Sequence, residues 1–180
     1  ELLRWPGMLA DDSLGFDEML PAIVALTDAA LDELVATRQR EGGKLADMIR
    51  ERVARMRELV TQATPRMPAV VLEYQERLTA KLRDAVASLD EDRVRQEVAL
   101  YAQRIDVDEE LTRLSTHLDE VERILKSAGA AGKRLDFLMQ ELNREANTLA
   151  SKSPATDITA IAMEMKVLIE QMREQVQNLE

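Results

Sequence analysis

From Gly15 onward, apolar residues recur at intervals of three and four, and this period decides most of what the chain can fold into. Such spacing gathers side chains on one stripe of a helix, whereas a half-buried strand needs an interval of two. Leu20, Ile23, Val24, Leu31, Leu34 and Val35 predict a first helix from about Asp17 to Arg40, with Pro21 acceptable only near its first turn. Gly42 and Gly43 interrupt or bend the chain. Leu45, Met48, Ile49, Val53, Met56 and Val60 then mark a second helix to about Thr64, before Pro65 and Pro68 break the pattern. A third helix covers Val70 to Leu89, and a fourth follows Asp90 as N-cap. Asp106 and Glu109 read as a capping box opening a fifth helix that runs to about Ser127. After the small-residue loop Gly129 to Gly132 comes a sixth helix, Lys133 to Lys152, and beyond Pro154 a seventh, Asp157 to Gln177. In the last helix Ile161, Met165, Leu168, Met172, Val176 and Leu179 form a short heptad stripe, able to pack within the chain or against another copy.

The fold class is therefore all-α, a set of elongated helical hairpins or a bundle of about six to seven helices. Residues 16–90 form a long helical hairpin region and residues 91–180 a C-terminal helical bundle. The 180 residues are 46% hydrophobic but only 3% aromatic, so the core must come from aliphatic side chains meshing between helices. No apolar run reaches the ~18 residues of a membrane span. No cysteine is present, which excludes disulfides, thiolate nucleophiles and zinc-thiolate sites and suits the cytoplasm. The formal net charge of -10 repels a polyphosphate at long range unless cations cluster or a metal ion intervenes.

Chemistry concentrates in the fifth and sixth helices. His117, the one histidine, follows Glu110 and Arg113 at i+7 and i+4 beside the apolar stripe of Leu111, Leu114, Leu118 and Val121. Imidazole and carboxylate on one face can bind Mn²⁺-like metals or move protons; a lone histidine is also a common structural residue. In the sixth helix Asp136, Gln140, Asn143 and Asn147 share a narrow polar stripe, next to a sector holding Glu141, Arg144 and Glu145. Asparagine is a poor mid-helix residue, so this stripe points either to an amide ladder between packed helices or to a bound group such as a phosphate. Lys133, Arg134, Arg144 and Lys152 give the segment a small positive excess, which either contacts nucleic acid or makes a solvated ion-pair face. No HExxH, no phosphate-cradling glycine loop and no Gly-x-Ser-x-Gly elbow occurs.

The same segments carry a resemblance. Arg104-Ile105-Asp106-Val107-Asp108-Glu109-Glu110-Leu111, Arg113-Leu114, His117-Leu118, Gly132-Lys133-Arg134-Leu135-Asp136-Phe137, Gln140-Glu141-Leu142-Asn143-Arg144-Glu145-Ala146-Asn147-Thr148 and Ser151-Lys152 resemble the C-terminal half of the YicC family. So does the closing string Ile169 to Glu180, with Leu3-Arg4-Trp5-Pro6-Gly7 and Arg40-Glu41-Gly42-Gly43 earlier, so that the likeness covers essentially the whole chain. The resemblance implies a bacterial, metal-dependent endoribonuclease, once called stress-induced, that works as a ring-like or clamp-like homo-oligomer, a hexamer. It further implies a strand-rich N-terminal domain absent from this chain, with residues 1–15 as the linker from it. On that footing Glu110, His117, Asp136 and Glu141 are the candidate catalytic and metal-binding residues, for Mn²⁺ or Mg²⁺. Arg113, Lys133, Arg134, Arg144 and Lys152 would contact RNA phosphates, and Gln140 and Asn147 would orient neighbours or RNA. The competing expectation is a non-catalytic oligomerisation module whose polar residues form networks within and between subunits.

Overall fold

A computed structural model describes residues 15–85, 91–127, 129 and 131–177, with only the backbone of 84 and 85. The opening apolar stretch, the Asp90 cap and Leu179 lie outside the described residues. Six α-helices follow one another: α1 Phe16–Ala63, α2 Arg66–Ala85, α3 Glu91–Arg104, α4 Asp108–Lys126, α5 Gly132–Lys152 and α6 Thr156–Gln177. Among the described residues there is no strand, as the apolar period requires.

The first and second helices expected from the sequence are one. α1 runs through Gly42 and Gly43 without a break across 48 residues. Glycine costs a helix about 1 kcal/mol relative to alanine but forbids nothing, so two glycines weaken this helix without ending it. Pro21 lies inside the second turn, where its missing N–H removes one backbone bond. Thr64 and Pro65 form the turn that does end α1. α2 starts at Arg66, four residues before the expected Val70, because Pro68 falls in a first turn whose N–H groups have no helical partner anyway.

The chain divides into two compact units, Glu1–Gly43 and Lys44–Glu180. In the first, the α1 residues Leu20, Ile23, Val24, Leu26, Leu31, Leu34 and Val35 are all exposed. In the second, Ile49, Val53, Met56 and Leu59 of α1 are buried in a core shared with α4, α5 and α6. Leu114 and Leu118 of α4, Leu135 and Leu142 of α5, and Met165 and Met172 of α6 are fully buried there, each contributing roughly 1.5–3 kcal/mol by leaving water. The heptad stripe of α6 is thus used inside this chain: Met165, Met172 and Val176 are buried, and Ile161 and Leu168 pack against the same core. Around its rim Arg52 donates to Gln171 at 3.1 Å, Arg55 pairs with Glu164 at 2.7 Å and Arg57 with Asp119 at 2.6 Å, tying α1 to α6 and α4. These pairs are more than a third exposed, so each is worth at most about 1 kcal/mol and the apolar contacts dominate. Between α2 and α3, Tyr74 and Tyr101 stack with ring centroids 3.6 Å apart.

The expected capping box does not form: Val107, not Asp106, is the N-cap of α4, and it makes no side-chain cap hydrogen bond. Asp106 accepts the Asp108 N–H at 3.0 Å, but Glu109 pairs with Arg113 one turn on instead of returning to the start of the helix. α4 begins beside Val107, a fully buried residue that fixes the chain's entry.

Candidate metal centre

α4 and α5 lie side by side with their core stripes facing inward, which leaves a polar residue at the edge of each stripe once or twice per turn. Those edges meet. Lys152 reaches Glu110 at 2.8 Å, Arg113 reaches Glu145 at 3.4 Å and Arg134 reaches Glu120 at 3.4 Å. As the α4 numbers rise the α5 numbers fall, so the two helices are antiparallel and a seam of charged pairs runs along their junction.

Midway along the seam His117 meets Glu141 and Glu145, one donor atom from each lying within 4.8 Å of the others. Glu141 and Glu145 are four apart on α5 and share a face, and His117 comes to them across the helix junction. Glu145 is buried, with only 4% of its side chain exposed, while His117 and Glu141 are half-buried. Among the described residues, neither the His117 ring nor the Glu141 carboxylate makes a hydrogen bond or ion pair with protein. Two carboxylate oxygens and one imidazole nitrogen are therefore held together with their lone pairs uncommitted, apart from the long Arg113 contact to Glu145. This mixed oxygen and nitrogen donor set suits Mn²⁺ and similar ions better than Mg²⁺, which prefers oxygen and retained waters.

Of the four candidate ligands His117 and Glu141 converge, while Asp136 and Glu110 stand apart. Asp136 and Glu141 are five residues apart, so they point about 140° apart on α5. Asp136 instead faces α6, 3.6 Å from Arg173, and accepts a hydrogen bond from Gln140 at 2.9 Å. Glu110 stands seven residues before His117, roughly 10 Å away along the axis. It is buried, and its Oε1 is held by Lys152, whose ammonium also donates to the Asp106 carbonyl at 3.0 Å. Its Oε2 is buried without a hydrogen-bond partner. Glu145 completes the cluster in their place. It reads in the sequence as part of a charged sector beside Arg144, and its signal was the four-residue spacing from Glu141.

The candidate phosphate contacts divide in the same way. Lys152 is tied down at Glu110, Arg134 leans on Glu120, and Arg113 bridges Glu109 and Glu145. Glu109, then Glu145, raise the proton affinity of Arg113 further above its ordinary value. Arg123, and more weakly Arg134, hold the Glu120 carboxyl below the usual range. Lys133, Gln140, Arg144 and Asn147 are exposed, and Lys133 and Arg144 have no carboxylate partner among the described residues. Asn143 is exposed too, and among the described residues no side-chain amide of this stripe bonds to a neighbouring helix.

Residues 63–180 match the family described as endoribonuclease YicC-like, C-terminal. The chain is 49% identical over 180 residues to a Haemophilus influenzae protein named "Probable endoribonuclease YicC", covering 100% of this chain and 63% of that protein. It is 36% identical over 154 residues to a Clostridioides difficile protein of the same name, covering 84% of this chain and 53% of that one. It therefore spans between about half and two thirds of the length of these relatives.

Proposed function

The chain belongs to the YicC-like endoribonuclease family, and on that premise we propose that it is the helical part of a divalent-metal-dependent endoribonuclease whose ion is held by His117, Glu141 and Glu145. The observation that carries this reading is the convergence of an imidazole and two carboxylates, one of them buried, within 4.8 Å in the stretch matched to the family. A buried carboxylate with one long contact to a guanidinium is expensive to keep, and a dication offsets that cost. When bound, such an ion lowers the pKa of a coordinated water and draws charge from a phosphoryl oxygen. In this reading Glu141, half-buried at the edge of the cluster, accepts a proton there, and Arg113, half-exposed beside it, holds a phosphate through its forked donors. Lys133 and Arg144 supply uncommitted positive charge on an otherwise acidic chain. RNA as substrate, a ring- or clamp-like hexamer and a cytoplasmic location complete the proposal. No helix among the described residues is long and apolar enough to cross a membrane, which is compatible with that location.

A second reading is favoured at two places: Glu110 with Lys152, and Asp136 with Arg173, are partnered within the chain and act there as interhelical ties. The test is RNA cleavage by a protein of the relatives' full length and by this chain, side by side, with Mn²⁺, with Mg²⁺ and with chelator. Cleavage should require metal, and His117→Ala and Glu141→Gln should each abolish it while the helical circular dichroism signal is retained. Cleavage that survives chelation, or full activity in both variants, refutes the proposal.

A further inference from the structure

α5 presents one large apolar side chain to solvent at its centre of polar residues: Phe137, 59% exposed, in a chain with only two phenylalanines. On a helix turning about 100° per residue, Lys133, Gln140 and Arg144 fall within about 60° of it, and Glu141 lies one turn on, about 40° around and roughly 6 Å along the axis. The ring thus stands beside the metal-cluster residue Glu141, between two cations without carboxylate partners among the described residues. An isolated exposed phenylalanine gains nothing from water, and one flanked by uncommitted cations is complementary to a ligand that is flat, apolar on its face and anionic along its backbone. From this we infer that Phe137 stacks on an unpaired base of single-stranded RNA while Lys133 and Arg144 engage the adjoining phosphates. The inference rests on the proposed function and adds to it what selects the strand. A duplex keeps its bases stacked on each other and gives the ring no face, so unpaired segments bind more tightly than paired ones. The spacing of one helical turn between Phe137 and Glu141 is close to that between successive nucleotides, which sets the phosphate next to the stacked base near the cluster.

The experiment measures fluorescence anisotropy in chelator, so that nothing is cleaved, using an unstructured RNA strand, its full duplex and the same strand with abasic sites. For the unstructured strand, Phe137→Ala should bind about 5- to 150-fold more weakly, as expected for one lost base stack, with Phe137→Trp restoring affinity and showing quenched indole emission. For the abasic strand Phe137→Ala and the unsubstituted protein should bind alike, whereas Lys133→Ala with Arg144→Ala should weaken binding of every probe and flatten its salt dependence. Equal binding of the unstructured strand by Phe137→Ala and the unsubstituted protein overturns the inference and leaves the proposed function standing. A fall in assembly mass by light scattering in Phe137→Ala, with or without weaker RNA binding, also overturns it, because the ring then serves a contact between copies. No RNA binding by the unsubstituted protein in chelator also overturns the inference, while the metal-dependent cleavage test decides the proposed function separately.

Discussion

Glu145→Gln should make the metal-free protein more stable and the metal-loaded protein less so. Glu145 is buried to within 4% of its side-chain surface, and its counter-charge among the described residues, Arg113, sits 3.4 Å away and is itself half exposed. Desolvating a carboxylate costs several kcal/mol, while a half-exposed pair at that distance returns about 1 kcal/mol or less. The Glu141 oxygen lies within 4.8 Å. Two like charges at that distance repel by roughly 3 kcal/mol at an effective dielectric of 20, about half of it screened by the exposure of Glu141. Glutamine keeps the shape and an acceptor for Arg113 but removes both penalties. In chelator the variant should therefore gain about 1–3 kcal/mol, or roughly 2–10 °C in midpoint for a chain of this length. Saturating Mn²⁺ reverses the order: at a thousandfold excess over Kd the unsubstituted protein gains about 4.1 kcal/mol, and the variant, short of one ligand, gains little. Urea unfolding followed by circular dichroism, with and without Mn²⁺, reads all four values. A variant less stable in chelator would mean that Glu145 is a satisfied structural group, and the reasoning would fail.

Arg113→Gln should tighten Mn²⁺ binding by about 5- to 20-fold, because it removes a positive charge that competes for Glu145, whereas Arg113→Lys should leave affinity nearly unchanged; calorimetric titration distinguishes them. A β-carbon at Gly42 or Gly43 would meet nothing within 4 Å, so Gly42→Ala and Gly43→Ala should each stabilise α1 by about 0.5–1 kcal/mol, seen as slower amide exchange around the substitution. Arg66 holds the Asp157 carboxyl below its usual range, so this pair adds stability above pH ~4 that is lost as pH falls through the depressed value. Asp157→Asn should flatten the acid limb of a midpoint-against-pH curve, with its deficit at neutral pH vanishing toward pH 2.

The helices were legible because each repeats its apolar spacing over several turns. Their joints were less so. Gly42 and Gly43 read as a break although a helix tolerates them, and Pro68 read as a breaker although a first turn accommodates it. Residues 63–180 carry the family likeness expected from their motifs. At the site, His117 and Glu141 could be picked out as polar residues edging a core stripe, but a helical wheel gives only direction, not which neighbour lies there. That Asp136 turns to Arg173 of α6, and that Glu110 is taken up by Lys152, follow from how α4, α5 and α6 dock, which is a tertiary fact. Glu145 was hidden for the same reason. Beside Arg144 it reads as one of a solvated pair, yet the antiparallel register of α4 and α5 buries it against His117.

That register has a kinetic corollary. All three donors come from consecutive helices, and Arg113 is only 32 positions from Glu145, whereas Arg57 of α1 reaches Asp119 over 62 and Arg55 reaches Glu164 over 109. Contacts close in sequence need less loop closure and form sooner than distant ones. The α4–α5 hairpin should thus bring His117, Glu141 and Glu145 together before α1 has docked, so an ion present during synthesis would meet its ligands on a nascent chain and bias the remaining helices toward the native arrangement.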